Sequence, residues 1–129
     1  MEIKTFEIIT PNEENGYCVF SSELENDEHV FFHMTPTNNL DQIIKDGFRS
    51  AQELGLGNLY SVSYAKRSSG CFANLGTTLE SEFVIFAVRF EPDALKEVTN
   101  NPSDIHVYDQ HLQPVILGIV RLPAGFRLS

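Results

Sequence analysis

The chain is poor in positive charge, in cysteine and in long apolar runs, and each shortage argues against a class of function. Lys and Arg number 9 against 18 Asp and Glu, a formal net charge of -9. Affinity for nucleic-acid backbones rests on clustered Lys and Arg. The balance therefore argues against a protein that holds DNA or RNA by its phosphates, and leaves room for a nucleotide held locally. Cysteine occurs only as Cys18 and Cys71. These form neither a metal nor a redox spacing, so two reduced thiols are expected. No apolar stretch approaches the ~20 residues of a membrane span. The opening Met1-Glu2-Ile3-Lys4-Thr5-Phe6-Glu7 does not read as a signal peptide. The expected location is the cytoplasm with no membrane partner, although export by a route that needs no signal peptide stays open.

What is present suits one globular domain over residues 1–129, with ordinary fractions of hydrophobic (42%) and charged (21%) residues. No repeat, low-complexity stretch or linker interrupts it. The most informative stretch is Val30-Phe31-Phe32-His33-Met34-Thr35, an apolar run with one imidazole and one hydroxyl. It is followed at once by Pro36 and a helical pattern in which Leu40, Ile43 and Ile44 keep the spacing of a buried stripe and Gly47 supplies the stop. Thr35 is the expected N-cap, with Thr37 or Asn38 as alternatives. A strand whose polar tip opens into a helix holds a ligand-facing group still, which makes His33 the first functional candidate.

The remaining pattern is mostly β. Residues 2–20 read as a hairpin, with strands over 2–10 and Tyr17–Phe20 around the turn Pro11–Gly16. Ser21–Glu28 is acidic and reads as a surface connection. Residues 59–64 alternate with period two, residues 65–73 suit a short helix, and Phe83–Phe90 is the strongest strand signal, apolar on both faces. A helical turn is expected over Asp93–Val98, and strands over Ile105–Tyr108 and Val115–Leu122, closed by Pro123. Many strands with a few short helices define an α+β domain.

In its order of elements the chain resembles the ADP-ribosyltransferase fold, in the His-Tyr-acid branch that includes the diphtheria-toxin type and the poly-ADP-ribose polymerases. Three patches within about residues 30–122 carry the resemblance. Phe32-His33-Met34-Thr35 with its helix to Gly47 is similar to the family's His-Gly-Ser or His-x-Thr strand. Gly57-Asn58-Leu59-Tyr60-Ser61, then Ala65 and Ser68-Ser69, is similar to the Gly-x-hydrophobic-Tyr motif with its downstream small and hydroxyl residues. Ser103-Asp104-Ile105-His106-Val107-Tyr108 is similar to the third motif, where the acid precedes a hydrophobic strand.

The resemblance implies split antiparallel β-sheets with short helices, and NAD+ as substrate, with no metal. It also implies an activity: mono-ADP-ribosyl transfer (a pentosyl, glycosyltransferase-type reaction) or NAD+ hydrolysis. It places the catalytic triad at His33, Tyr60 and Asp104, and NAD+ binding at His33, Met34, Thr35, Tyr60, Ser68 and Phe72. Breaking the nicotinamide–ribose bond leaves an oxocarbenium-like sugar, which a carboxylate such as Asp104 would stabilise. Tyr60 would stack on the cationic nicotinamide ring, with Phe72 as a second face. His33 would anchor the adenine-side ribose. Thr35, Ser68 and the Met34 backbone would meet the nicotinamide amide.

Two departures shape the expectation. Met34 stands where the polymerases carry glycine, and the acid is Asp rather than Glu, as in toxin-like branches. Both favour mono-transfer or hydrolysis over polymer growth. The acceptor is unknown, with a protein favoured over nucleic acid. A non-catalytic module that binds a nucleotide or a protein on the same fold is the alternative. Several plainer readings stand beside these: Tyr64 rivals Tyr60, Glu82 and Asp109 are alternative acids, and Lys66-Arg67 is either a pyrophosphate pair or a solvated one.

Overall fold

The structure, a computed structural model, describes residues 3–49, 62–72, 78–91, 105–107 and 112–127. Its frame is a three-stranded antiparallel sheet of order β1-β3-β5, built from β1 (Val30–Pro36), β3 (Phe83–Arg89) and β5 (Val115–Leu122). A second antiparallel pair joins β2 (Val62–Tyr64) to β4 (Ile105–Val107). Two short α-helices are described, α1 (Ser22–Glu25) and α2 (Leu40–Asp46). The α+β expectation holds at this level. The expected turn over 93–98 lies outside the described residues.

Strand β3 is central because it can be buried on both sides. Val84, Phe86 and Val88 join one core cluster, and Ile85 and Ala87 the other. Its partners sort the same way. Phe31 faces the first cluster, which α2, β2 and β4 complete with Leu40, Ile43, Val62, Tyr64, Ile105 and Val107. Val30 and Phe32 face the second, closed by Val19, Phe20, Phe72 and Leu79. Apolar burial on both faces at about 25 cal/mol per Å² is the main stabilising force. The period-two alternation of β1 thus assigns His33 and Phe31 to one side and Met34 and Phe32 to the other.

Among the described residues one backbone bridge links β1 to the chain that leaves β2. Phe32 and Ala65 exchange a pair of backbone bonds, each 2.8 Å. Beyond that bridge β2 pairs with β4 instead of continuing along β1. Among the described residues the pairing of β1 and that of β2 therefore split after Phe32, beside His33 and Met34.

Several local expectations are corrected. Residues 3–10 contain no strand: Thr5 makes one parallel bridge to Ile119, with Phe6 N–H donating to the Ile119 carbonyl at 2.8 Å. Among the described residues the expected hairpin at 2–20 keeps one bond between its arms, from Ile9 N–H to the Val19 carbonyl at 3.0 Å, and Tyr17 N–H donates to the Asn12 carbonyl at 2.8 Å across the turn. Its turn is a 3-10 helix over Glu13–Asn15, held by a reciprocal Asn12–Asn15 capping box. Left-handed backbone at Gly16 and Tyr17 follows, which keeps Tyr17 from starting a strand.

Ser21–Glu28 is more than a surface connection, for it contains α1 and the buried Glu25. Pro36 ends β1 and does not open the helix; a 3-10 turn over Thr37–Asn39 intervenes before α2. Thr35 is accordingly a strand residue and not an N-cap. The expected stop is present, since Gly47 has φ 82° and its N–H donates to the Ile43 carbonyl at 2.8 Å. Residues 68–72 form a 3-10 helix where a short helix over 65–73 is expected.

Gly118 on β5 is required by close approach. A Cβ there would lie 2.4 Å from the Phe6 ring and 2.7 Å from the Lys4 carbonyl oxygen. The glycine lets the N-terminal segment lie flat along the sheet edge, where it covers backbone groups that would otherwise be open to another chain.

Candidate functional site

The side chain of His33 emerges from β1 on the α2 face, opposite Phe86 in the register. Its Nδ1 lies 2.7 Å from the Ser63 carbonyl oxygen. A carbonyl only accepts, so Nδ1 carries the proton and donates, and Nε2 is left as an acceptor. Among the described residues Nε2 has no partner, yet no buried polar atom is left unsatisfied. The half-buried imidazole therefore keeps Nε2 in reach of solvent.

Two rings enclose the imidazole. Phe48 stands edge-on at 5.2 Å and Tyr64 tilted at 5.6 Å, centroid to centroid. Phe48 and Tyr64 also meet each other at 5.6 Å. Burial against these rings lowers the His33 pKa below 6.5, and the bond to Ser63 opposes that only in part. The site is a neutral, tautomerically fixed imidazole in an aromatic setting. Chemically it can accept a hydrogen bond from a hydroxyl; a resting imidazolium is disfavoured.

Met34 contributes backbone. Because Phe32 spends its N–H and C=O on Ala65, the next groups on that edge belong to Met34. Its N–H faces the Cys71 thiol, a weak acceptor. Burial, reinforced by the carboxylate of Glu25, pushes that thiol up to about 12, which removes it as a nucleophile near neutral pH.

The structure divides the other candidates. Thr35 is buried on the His33 side, and its Oγ1 accepts from Asn39 Nδ2 at 2.9 Å. Ser68 is fully buried. Its hydroxyl donates to Glu25, and it accepts from Val19 N–H at 3.0 Å. Glu25 Oε1 also accepts from Ser68 N–H at 3.0 Å and Oε2 from Phe20 N–H at 3.3 Å. The Ser68 hydroxyl thus clips the 68–72 turn onto the 19–25 segment. Phe72 belongs to the second cluster, on the face of the sheet opposite His33. Neither side chain meets His33 in this arrangement.

Tyr60 and Asp104 lie outside the described residues, as does Asp109. Tyr64 is 2% exposed and packs on Phe48 and Phe90, so it forms a wall and offers no open stacking face. Glu82 is exposed at the start of β3, with its carbonyl accepting from Thr37 N–H at 3.2 Å. Lys66 is not a solvated cation. Its Nζ donates to the carbonyls of Asp27 and Val30 at 2.6 and 3.0 Å and stands over Phe31. Arg67 donates to Asn26 Oδ1. Both basic side chains secure the 26–30 approach to β1.

Sequence reasoning gave no role to Phe48, Gln113 and Glu25. Phe48 follows the helix-stop glycine, a position that could have marked it. Gln113 binds across 65 positions, and no local pattern signals that. Among the described residues no group of three or more His, Cys, Asp or Glu could hold a metal ion. No helix described is long and apolar enough to cross a membrane. Compared with models of known protein families, with curated proteins and with solved structures, the chain matches none.

Proposed function

We propose that the chain is an NAD+-dependent mono-ADP-ribosyltransferase, or an NAD+ glycohydrolase, on an ADP-ribosyltransferase-like scaffold. The observation that carries this reading is the split beside β1. There a neutral imidazole with an acceptor Nε2 stands next to the edge backbone of Met34. Nε2 suits a ribose hydroxyl donor, and the Met34 N–H and C=O suit a carboxamide, which needs one donor and one acceptor. The N–H contact to Cys71 is weak enough for a ligand to displace.

In sequence, the two remaining members of the triad precede β2 and β4. Asp104 immediately precedes Ile105, which pairs with Tyr64, whose ring borders His33. Tyr60 precedes β2 by two positions. In this reading Asp104 stabilises the oxocarbenium-like ribose, Tyr60 stacks on nicotinamide, and His33 orients the dinucleotide. Thr35 supports the 37–39 turn from the same strand. Ser68 and Phe72 act in the scaffold, a revision of their expected contacts with the substrate. The acceptor is a macromolecule, with protein favoured over nucleic acid by the net charge of -9, or water.

Incubation with NAD+ labelled in the adenylate portion, with and without cell lysate, tests the reading. Free ADP-ribose marks hydrolysis, and a labelled macromolecule marks transfer. His33→Ala, Tyr60→Ala and Asp104→Ala should each cut nicotinamide release by at least roughly 100-fold, the scale of one lost electrostatic or positioning group. If the wild type releases nothing, or all three variants keep its rate, the enzymatic reading fails. NAD+ binding by calorimetry without turnover would favour the non-catalytic module, a reading that the burial of Ser68 and Phe72 also favours.

A further inference from the structure

We propose that Gln113 is a positioning residue for His33, acting through the backbone and ring of Phe48. Residues 47–49 belong to no strand ladder, so the chain leaving α2 needs partners for its backbone from elsewhere. Gln113 supplies them. Its Oε1 accepts from Phe48 N–H at 2.8 Å, and its Nε2 donates to the Phe48 carbonyl at 2.9 Å. One primary amide thus takes the place of a neighbouring strand.

The fit extends to Gly47. A Cβ at that position would lie 2.7 Å from Gln113 Oε1, and φ of 82° already disfavours a side chain. The left-handed glycine turns the chain out of α2 and makes room for the amide.

The ring so placed is 2% exposed and meets His33 at 5.2 Å and Phe86 at 5.2 Å, both edge-on. The imidazole is held on one side by the Ser63 carbonyl and bordered on the other by Phe48. Without the Gln113 amide, two Phe48 backbone groups lose their partners. The segment relaxes toward water, the ring leaves its place, and His33 becomes hydrated. Loss of this enclosure should return the imidazole toward its ordinary titration, while the bond to the Ser63 carbonyl still favours the proton on Nδ1. The consequence for ligand binding, a misdirected Nε2 acceptor, rests on the proposed reading of the split; the effect on His33 itself does not.

The test follows the imidazole nitrogens of His33 by NMR in the full 15N-labelled chain. In the wild type, Nδ1 should appear protonated and Nε2 unprotonated, with a titration midpoint below 6.5. Gln113→Ala should raise that midpoint. Gln113→Glu retains the acceptor for Phe48 N–H, so it should fold even where the alanine variant does not, and should show the same shift in smaller degree. Phe48→Leu should move His33 similarly, and the Phe48→Leu/Gln113→Ala pair should fall short of the sum of the singles.

Gly118→Ala, which strains the N-terminal segment at the other edge of the sheet, controls for general destabilisation. It should leave the His33 signals in place. With NAD+, the Gln113 variants should raise KM by about 2- to 10-fold, the worth of one neutral hydrogen bond, with little change in kcat. The inference is overturned if His33 is unmoved in a folded Gln113 variant, or is moved equally by Gly118→Ala. Should the wild type neither bind nor cleave NAD+, the proposed function falls, and the His33 signals still decide the role of Gln113.

Discussion

Ser68→Ala separates a hydroxyl that binds substrate from one that holds the fold. The side chain is fully buried, accepts from Val19 N–H at 3.0 Å and donates to the Glu25 carboxylate. Its removal leaves Val19 N–H without an acceptor, at a cost of about 1–3 kcal/mol. It also deletes a hydrogen bond to a charged group, worth about 1.5–3 kcal/mol. Glu25 keeps the N–H groups of Ser68 and Phe20, at 3.0 and 3.3 Å, so the carboxylate is not stranded. Because one hydroxyl makes both bonds the losses overlap, and the net destabilisation should be about 3 kcal/mol. For a domain of this length that is a fall in melting temperature of roughly 10–15 °C.

Urea unfolding followed by far-UV circular dichroism measures it, since the chain has no Trp for fluorescence. If the chain cleaves NAD+ as proposed, nicotinamide release assayed well below the variant's melting temperature should keep the wild-type KM. Glu25→Ala should be severe alone, and the double variant should cost less than the sum of the singles. A Ser68→Ala protein within about 0.5 kcal/mol of wild type, a change typical of an uninvolved surface site, would refute the clip. If KM also rises severalfold, Ser68 belongs to the substrate.

The remaining predictions concern protons and thiols. The folded His33 pKa lies below 6.5 because the ring is enclosed, so the unfolded chain takes up its proton first as pH falls. The stability this neutral histidine contributes is fully present above about pH 6.5 and is lost as pH drops from there toward the folded value. His33→Gln should therefore show a flatter decline than wild type in urea midpoints between pH 7 and 5; equal slopes would refute the enclosure. The Cys71 thiol, raised to about 12 by burial and then by Glu25, should react with an aromatic disulfide reagent at pH 8 roughly 1,000-fold more slowly in the native protein than in urea. Rapid native labelling would place that thiol elsewhere.

The fold was legible where a pattern is both strong and local. Phe83–Arg89 reads as a doubly buried strand because nearly every residue is apolar, and it forms the centre of the sheet. The passage from His33 to Gly47 is legible because a strand, a helical stripe and a glycine stop follow one another without a break. Glu25 was not legible. An acidic run reads as solvated surface, and only Ser68, 43 positions away, together with Phe20 makes burial of a carboxylate tolerable. The N-terminal segment reads as half of a hairpin from its composition, yet its partner is Ile119 at the other end of the chain.

At the site, His33 was visible as an imidazole within the long apolar run of β1. Ser68 and Phe72 carry the right chemistry in the right order. The 3-10 turn over 68–72 nevertheless directs Phe72 into the cluster on the other face of the sheet and Ser68 onto Glu25 and Val19, contacts that residue type does not reveal.

The bridge from Thr5 to Ile119 bears on the order in which this protein can be made. During synthesis, residues 3–6 emerge more than 100 positions ahead of β5 and must wait for it before they find their place. Until then the newly paired β1–β3 ribbon shows an unclaimed edge and two apolar faces, a form open to capture by other chains. Joining partners separated by about 110 residues costs ~4 kcal/mol in loop entropy. That cost is recovered only through the packing that the finished sheet provides. Completion of the sheet is thus a late and concerted event, in which a segment that precedes β1 in the chain settles only once β5 is in place.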